Sequence, residues 1–176
     1  MFGVYFRHKI NKKVVKMTEN KNSKNNRLPF LYSSIFGYGD DILIEAFLED
    51  LSDINAQDKE GMTPLIAACA WGRRNAVEYL VKQGADVNTQ DDKGNTCIMY
   101  VVETASIRVE TCCDLLRYLL DNCKIDFDKK NAKGENVFDI ANHRPEKIKA
   151  MLYSYLYAKV KNPVAEKVKD ANVKTK

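Results

Sequence analysis

Three kinds of residue in this chain could do chemistry: thiols, paired carboxylates, and a glycine doublet around a tyrosine. The thiols are Cys69, Cys97, Cys112, Cys113 and Cys123. A closely spaced pair can be a redox centre, and thiolates with imidazoles can hold zinc. Here no pair has C-x-x-C spacing, most sit in apolar stretches, and the two histidines, His8 and His143, are far apart. That pattern fits small buried hydrophobes in a reducing compartment better than a metal centre or a disulfide frame. Asp40-Asp41 and Asp91-Asp92 are paired carboxylates. Such a pair works as acid and base only where a walled pocket drives the two pKa values apart. Both pairs fall on turn-forming stretches, so they are expected to be turn and cap residues open to water. Gly37-Tyr38-Gly39 is half of a phosphate-cradling pattern, without the third glycine, a preceding strand or a lysine. It is expected to be a loop between helices. No catalytic residue, metal ligand or cofactor follows from these groups, and the chain is expected not to be an enzyme.

What must position these residues is a repeat. Asp53-Ile54-Asn55-Ala56-Gln57-Asp58 recurs as Asp86-Val87-Asn88-Thr89-Gln90-Asp91, and Gly61 recurs as Gly94, 33 residues on. A third copy, Asp126-Phe127-Asp128, leads to Gly134, 40 residues after Gly94, so it carries seven extra residues. A fixed period of this length marks a stacked array whose units bury their apolar faces only against neighbours. Within residues 61–93, Gly61 suits a tight turn, Thr63 an N-cap and Pro64 the first helical position. Leu65, Ala67, Ala68 and Cys69 follow, small enough to let another helix approach closely, and Gly72 stops the helix. Val77, Leu80 and Val81 give a second, amphipathic helix that Gly84 ends, and Ala85-Asp86-Val87-Asn88 leads out as an extended arm.

The stretches GMTPLIAACAWG and VEYLVKQGADVN closely resemble the ankyrin repeat pattern G-x-T-P-L-H-x-A-A-x-x-G and V-x-x-L-L-x-x-G-A-D-V-N. The resemblance implies an all-α solenoid of helix-turn-helix units with extended finger loops. It covers roughly 28–157, in units of about 28–60, 61–93, 94–133 and 134–157. The first unit is marked by Leu28-Pro29-Phe30-Leu31, Gly37, Ile44, Phe47 and Leu48. The third has Cys97 where proline is usual, an insertion near 105–108 and a lengthened second helix over 109–121. In the fourth, Pro145 opens a closing helix with Ile148, Met151, Leu152 and Tyr155 on one side. The family's histidine after T-P-L, which ties neighbouring turns, is Ile66 here and Met99 in the next unit. The expectation is an array leaning more on apolar contact.

Flanking the array, 1–27 carries eight Lys/Arg against Glu19, and 158–176 six Lys against Glu166 and Asp170. With a net charge of +4 for the whole, the remaining 28–157 is 4 − 7 − 4 = −7, an acidic body between basic arms. Both arms are expected to be disordered, since they hold too few large apolar residues to offset the entropy of ordering. Met17 is a plausible second start. There is no uninterrupted apolar run long enough for a transmembrane helix, and the N-terminal apolar run is too short for a secretory signal. A cytoplasmic monomer is expected.

The resemblance implies a non-enzymatic scaffold that binds another protein through its concave face. It also implies the residues: Trp71 at the end of a first helix, then Lys59, Glu60, Met62, Asp92, Lys93, Asn95, Ala132, Lys133 and Glu135 beside the turn glycines. Mixed charges on an acidic body lead one to expect a partner with basic character. Small ankyrin proteins of host-dwelling bacteria and viruses act on host proteins, so a host-directed role is a further implication. The rival reading is nucleic-acid or anionic-membrane association through the basic arms.

Overall fold

A computed structural model of the chain describes residues 53–104 and 109–161. The N-terminal arm, most of the first unit with Gly37-Tyr38-Gly39 and Asp40-Asp41, the insertion at 105–108 and residues 162–176 lie outside the described residues.

Among the described residues six helices follow in pairs: α1 (Pro64–Ala70) with α2 (Arg74–Lys82), α3 (Cys97–Thr104) with α4 (Val109–Asn122), and α5 (Val137–Ala141) with α6 (Glu146–Lys161). The first helix of each pair packs on the first of the next, α1 on α3 on α5, and the second helices likewise, α2 on α4 on α6. Two parallel layers of helix result, and no strand occurs among the described residues. The chain is an all-α repeat solenoid over this span.

Local sequence explains the helix ends. The Thr63 hydroxyl accepts from the Ile66 amide at 3.2 Å, and Pro64 starts α1 where no amide donor is needed. Gly72, at φ +70°, lets the Gly72 and Arg73 amides turn back to the Cys69 and Ala68 carbonyls. Asn136 caps α5 through a reciprocal box with Asp139. In the third unit Cys97 replaces proline without loss of the helix; its thiol donates to the Val87 carbonyl at 3.2 Å.

Leu65, Ala67, Ala68 and Cys69 are all buried, so α1 is covered by both α2 and α3. The lengthened α4 buries Cys112, Cys113, Leu115, Leu116, Leu119 and Leu120 against its neighbours, within one continuous apolar core. Ile66 and Met99, in place of the tying histidine, are buried too. The array ends differently. Asp139 holds the same place in the last unit and is exposed. Phe138 contacts Phe127 and Tyr153 at ring-centroid distances of 5.5 and 5.3 Å, in a short aromatic chain along the terminal unit. Helix α6 continues to Lys161, past the boundary expected at 157.

Across the outer layer, Arg74 joins Glu78 at 2.7 Å and lies 5.9 Å from the Tyr118 ring centroid. Lys147 of α6 reaches Glu110 of α4 at 2.7 Å, an exposed pair worth little to stability.

Candidate protein-binding face

Each unit begins with a finger built from one recurring set of bonds. The Asp58 carboxylate accepts from the Glu60 and Met62 amides, both at 2.9 Å. Asp91 does the same for Lys93 and Asn95 at 3.0 and 2.8 Å, and the Asn131 side-chain oxygen for Lys133 and Glu135, both at 3.0 Å. A short side-chain acceptor pulls the turn into shape, and the following glycine completes it. Gly61 and Gly94 both stand at φ +74°, and a methyl group on either would press within 3.0 Å of the next finger's backbone. Glycine is needed at both for conformation and for space.

The fingers are joined sideways. The Asp92 amide donates to the Glu60 carbonyl at 3.1 Å and the Ala132 amide to the Lys93 carbonyl at 2.8 Å. Gln57 bridges the Gly61 and Gln90 carbonyls at 2.7 and 3.0 Å; Gln90 repeats the bridge to Gly94 and Lys130 at 2.6 and 2.9 Å. Asn55 and Asn88 accept from the Asp86 and Asp126 amides of the succeeding arms at 2.8 and 2.9 Å. Neighbouring turns are therefore tied by side-chain amides, in addition to the apolar contact that Ile66 and Met99 supply.

Between the third and fourth units, fingers and inner helices enclose a pocket of about 450 Å³. Lys93, Asn95, Lys133 and Glu135 of the expected binding residues line it, with Ala132. Tyr100, Glu103, Asn131, Ile140, His143 and Arg144 complete the walls. Lys59 and Glu60 lie outside it at an exposed tip, 3.6 Å apart, and Asp92 is exposed on the next tip. Met62 is half-buried against the core. Trp71 caps α1 and is 52% exposed.

Sequence reasoning missed Tyr100, Glu103, Ile140, His143 and Arg144. The signal was available in the register: six and nine residues after Gly94 stand Tyr100 and Glu103, and after Gly134 stand Ile140 and His143. Those places, one helical turn apart, share the face turned to the fingers.

Asp91 differs from expectation. It is 7% exposed, not open to water, because the Tyr100 hydroxyl donates to its second oxygen at 2.6 Å. Burial, then the bond to Asp91, pushes the Tyr100 phenol up to about 12. This is a structural clasp between finger and inner helix, with Asp92 turned away to solvent.

The described cysteines are free thiols, all buried except the half-buried Cys123. The hydrogen bond that Cys69 donates to Cys97, then burial, raises the Cys69 thiol well above its ordinary range, and burial lifts Cys123 to about 11. Neither is a nucleophile near neutral pH. No cluster of three His, Cys, Asp or Glu among the described residues could hold a metal, and no described helix is long and apolar enough to cross a membrane.

The family pattern for ankyrin repeats, three copies long, matches residues 7–91 and 32–131. The chain is an ankyrin repeat protein. The matched span starts inside the segment expected as a basic arm. Relatives include an ankyrin repeat domain-containing protein of monkeypox virus, 36% identical over 77 residues, covering 44% of this chain and 11% of that protein. Ankyrin repeat protein 14 of vaccinia virus is 37% identical over 59 residues, 34% of this chain and 25% of that one. Protein phosphatase 1 regulatory subunit 12A of Mus musculus is 30% identical over 102 residues, 54% of this chain and 9% of that one. This chain thus spans a quarter or less of the length of these relatives. Ankyrin repeats are in general protein-interaction modules rather than enzymes, and they bind other proteins.

Proposed function

We propose that this ankyrin protein is a non-enzymatic scaffold that binds a partner protein through the concave face formed by its fingers and inner helices. The observation that carries the reading is the pocket between the third and fourth units, walled by both layers of that face. Fingers cross-linked by backbone and amide bonds present their tips in a fixed relation, so little ordering is needed on binding. Trp71, half exposed at the end of α1, adds an aromatic anchor of the kind that dominates interface energies. Lys59, Glu60, Met62, Asp92, Lys93, Asn95, Lys133 and Glu135 supply the surrounding contacts.

The test is co-precipitation from nuclease-treated cytosolic lysate with the full chain, with Trp71→Ala/Lys59→Ala, and with the outer-helix substitution Arg117→Ala. A protein retained by the wild type and by Arg117→Ala but lost by the double variant supports the concave face. A protein lost only with Arg117→Ala overturns it. Capture abolished by deleting residues 1–27, with the double variant unaffected, would favour the basic arms.

A further inference from the structure

Resting on that concave-face reading, we infer that the ligand is an extended peptide segment of the partner that carries a carboxylate side chain, seated between the Lys93 and Lys133 fingertips, and a large apolar side chain laid against Trp71.

The concave face changes character along the array. At the places one, six, nine and ten residues after the turn glycine, the unit at 61–93 has Met62, Ala67, Ala70 and Trp71. The next has Asn95, Tyr100, Glu103 and Thr104, and the last has Glu135, Ile140, His143 and Arg144. One end is apolar and the other is charged.

At the charged end, the residue before each turn glycine changes sign, from Glu60 to Lys93 and Lys133. Glu60 is paired with Lys59. Neither Lys93 nor Lys133 has an ion-pair partner among the described residues. The bond from the Ala132 amide to the Lys93 carbonyl at 2.8 Å holds these two tips together. Arg144 adds a third cation to the lining. Of the two lining acids, Glu135 accepts from the Asn131 side-chain amide at 3.2 Å, and Glu103 stands on the helical wall. The pocket therefore has an excess of cation, the reverse of the basic partner expected from the acidic body. A carboxylate near the tips gains charge-assisted bonds from ammonium groups and keeps its distance from Glu103.

Spacing follows from the scaffold. Neighbouring helices stand about 8–10 Å apart, and an extended peptide advances about 3.3 Å per residue. Trp71 ends α1, and the pocket lies between α3 and α5, between one and two helix steps away. The seven residues of α1 add about 10 Å between its finger end and Trp71, so the apolar and acidic side chains should stand about four to seven residues apart.

A random short-peptide library displayed on phage, selected on the immobilised full chain, tests this. Enriched peptides should share an Asp or Glu at that spacing from a Trp, Phe, Leu or similar residue. Synthesised and titrated, they should bind Lys93→Glu/Lys133→Glu at least about tenfold more weakly and lose affinity in high salt. Glu103→Gln should tighten them about two- to fivefold by removing a like charge. All these substitutions are at exposed positions, and unchanged thermal melts would verify that the fold survives. A motif rich in Lys or Arg, the absence of any shared motif, or equal binding to the charge-reversed chain would overturn the inference. If Trp71→Ala still weakens binding in that last case, the concave-face reading stands alone. If only Arg117→Glu on the outer layer weakens it, both fall.

Discussion

The units at 61–93 and 134–161 share one scaffold and use it in opposite ways. The first is sandwiched: α1 is buried from Leu65 to Cys69, and Ile66 is wholly covered by its neighbours. The last has the polar Asp139 at the place of Ile66, exposed and engaged in capping its own helix. On the concave side the contrast continues, with Ala67 and Ala70 in one and Ile140 and His143 in the other. Stability is thus concentrated in the interior of the stack, while the pocket is placed toward its end. A repeat can vary its finger-facing positions freely because the apolar seams between helices are set by other residues.

The two units differ most in their response to substitution at one repeat place. Met99→Ala should lose about 2–5 kcal/mol of unfolding free energy, because a buried side chain is removed between two inner helices. Asp139→Ala should lose only about 1 kcal/mol, the value of a capping contact. Urea unfolding of both variants checks this, and equal losses would mean that the end unit is as closely packed as the interior.

Turn glycines give the next effect. Gly94→Ala should lose about 3 kcal/mol and Gly134→Ala about 1 kcal/mol, since both need a left-handed residue but only Gly94 has a neighbouring finger in the way. Removing the lateral tie with Gln90→Ala should cost about 1–2 kcal/mol through two lost bonds, again by urea unfolding.

The smallest effect is spectroscopic. Tyr100 in the folded chain holds its proton to about 12. A phenol in the unfolded chain releases it near pH 10. The resulting stabilisation is fully present below that lower value and is lost as pH rises through the higher one, because the unfolded chain then binds fewer protons than the native one. Ultraviolet titration should therefore show a phenol titrating near pH 12 that Tyr100→Phe removes, while the Tyr118 phenol, which burial also raises, is left in place.

Much of this was legible because the signals are local. Thr63, Pro64 and Gly72 each act on a backbone group within a turn of themselves, and α4 ends within a residue of the helix expected over 109–121. The pocket was less so. Lys93, Asn95, Lys133 and Glu135 followed from the finger pattern, but Tyr100 with Ile140 and Glu103 with His143 lie inside the helices and had to be counted in from Gly94 and Gly134, beyond the fingers themselves. The burial of Asp91 needed a partner nine residues away on the next helix, which no turn rule supplies. The lateral ties by Gln57 and Gln90 were likewise invisible, since each joins residues a full repeat apart.

The proposed partner contact falls on the concave face. A photo-activated cross-linking side chain placed in the full chain at Glu103, on the pocket wall, and separately at Arg117, exposed on outer helix α4, tests it most directly. The prediction is a covalent adduct to one partner protein from position 103 and none from 117. An adduct to that partner from 117 alone would contradict it.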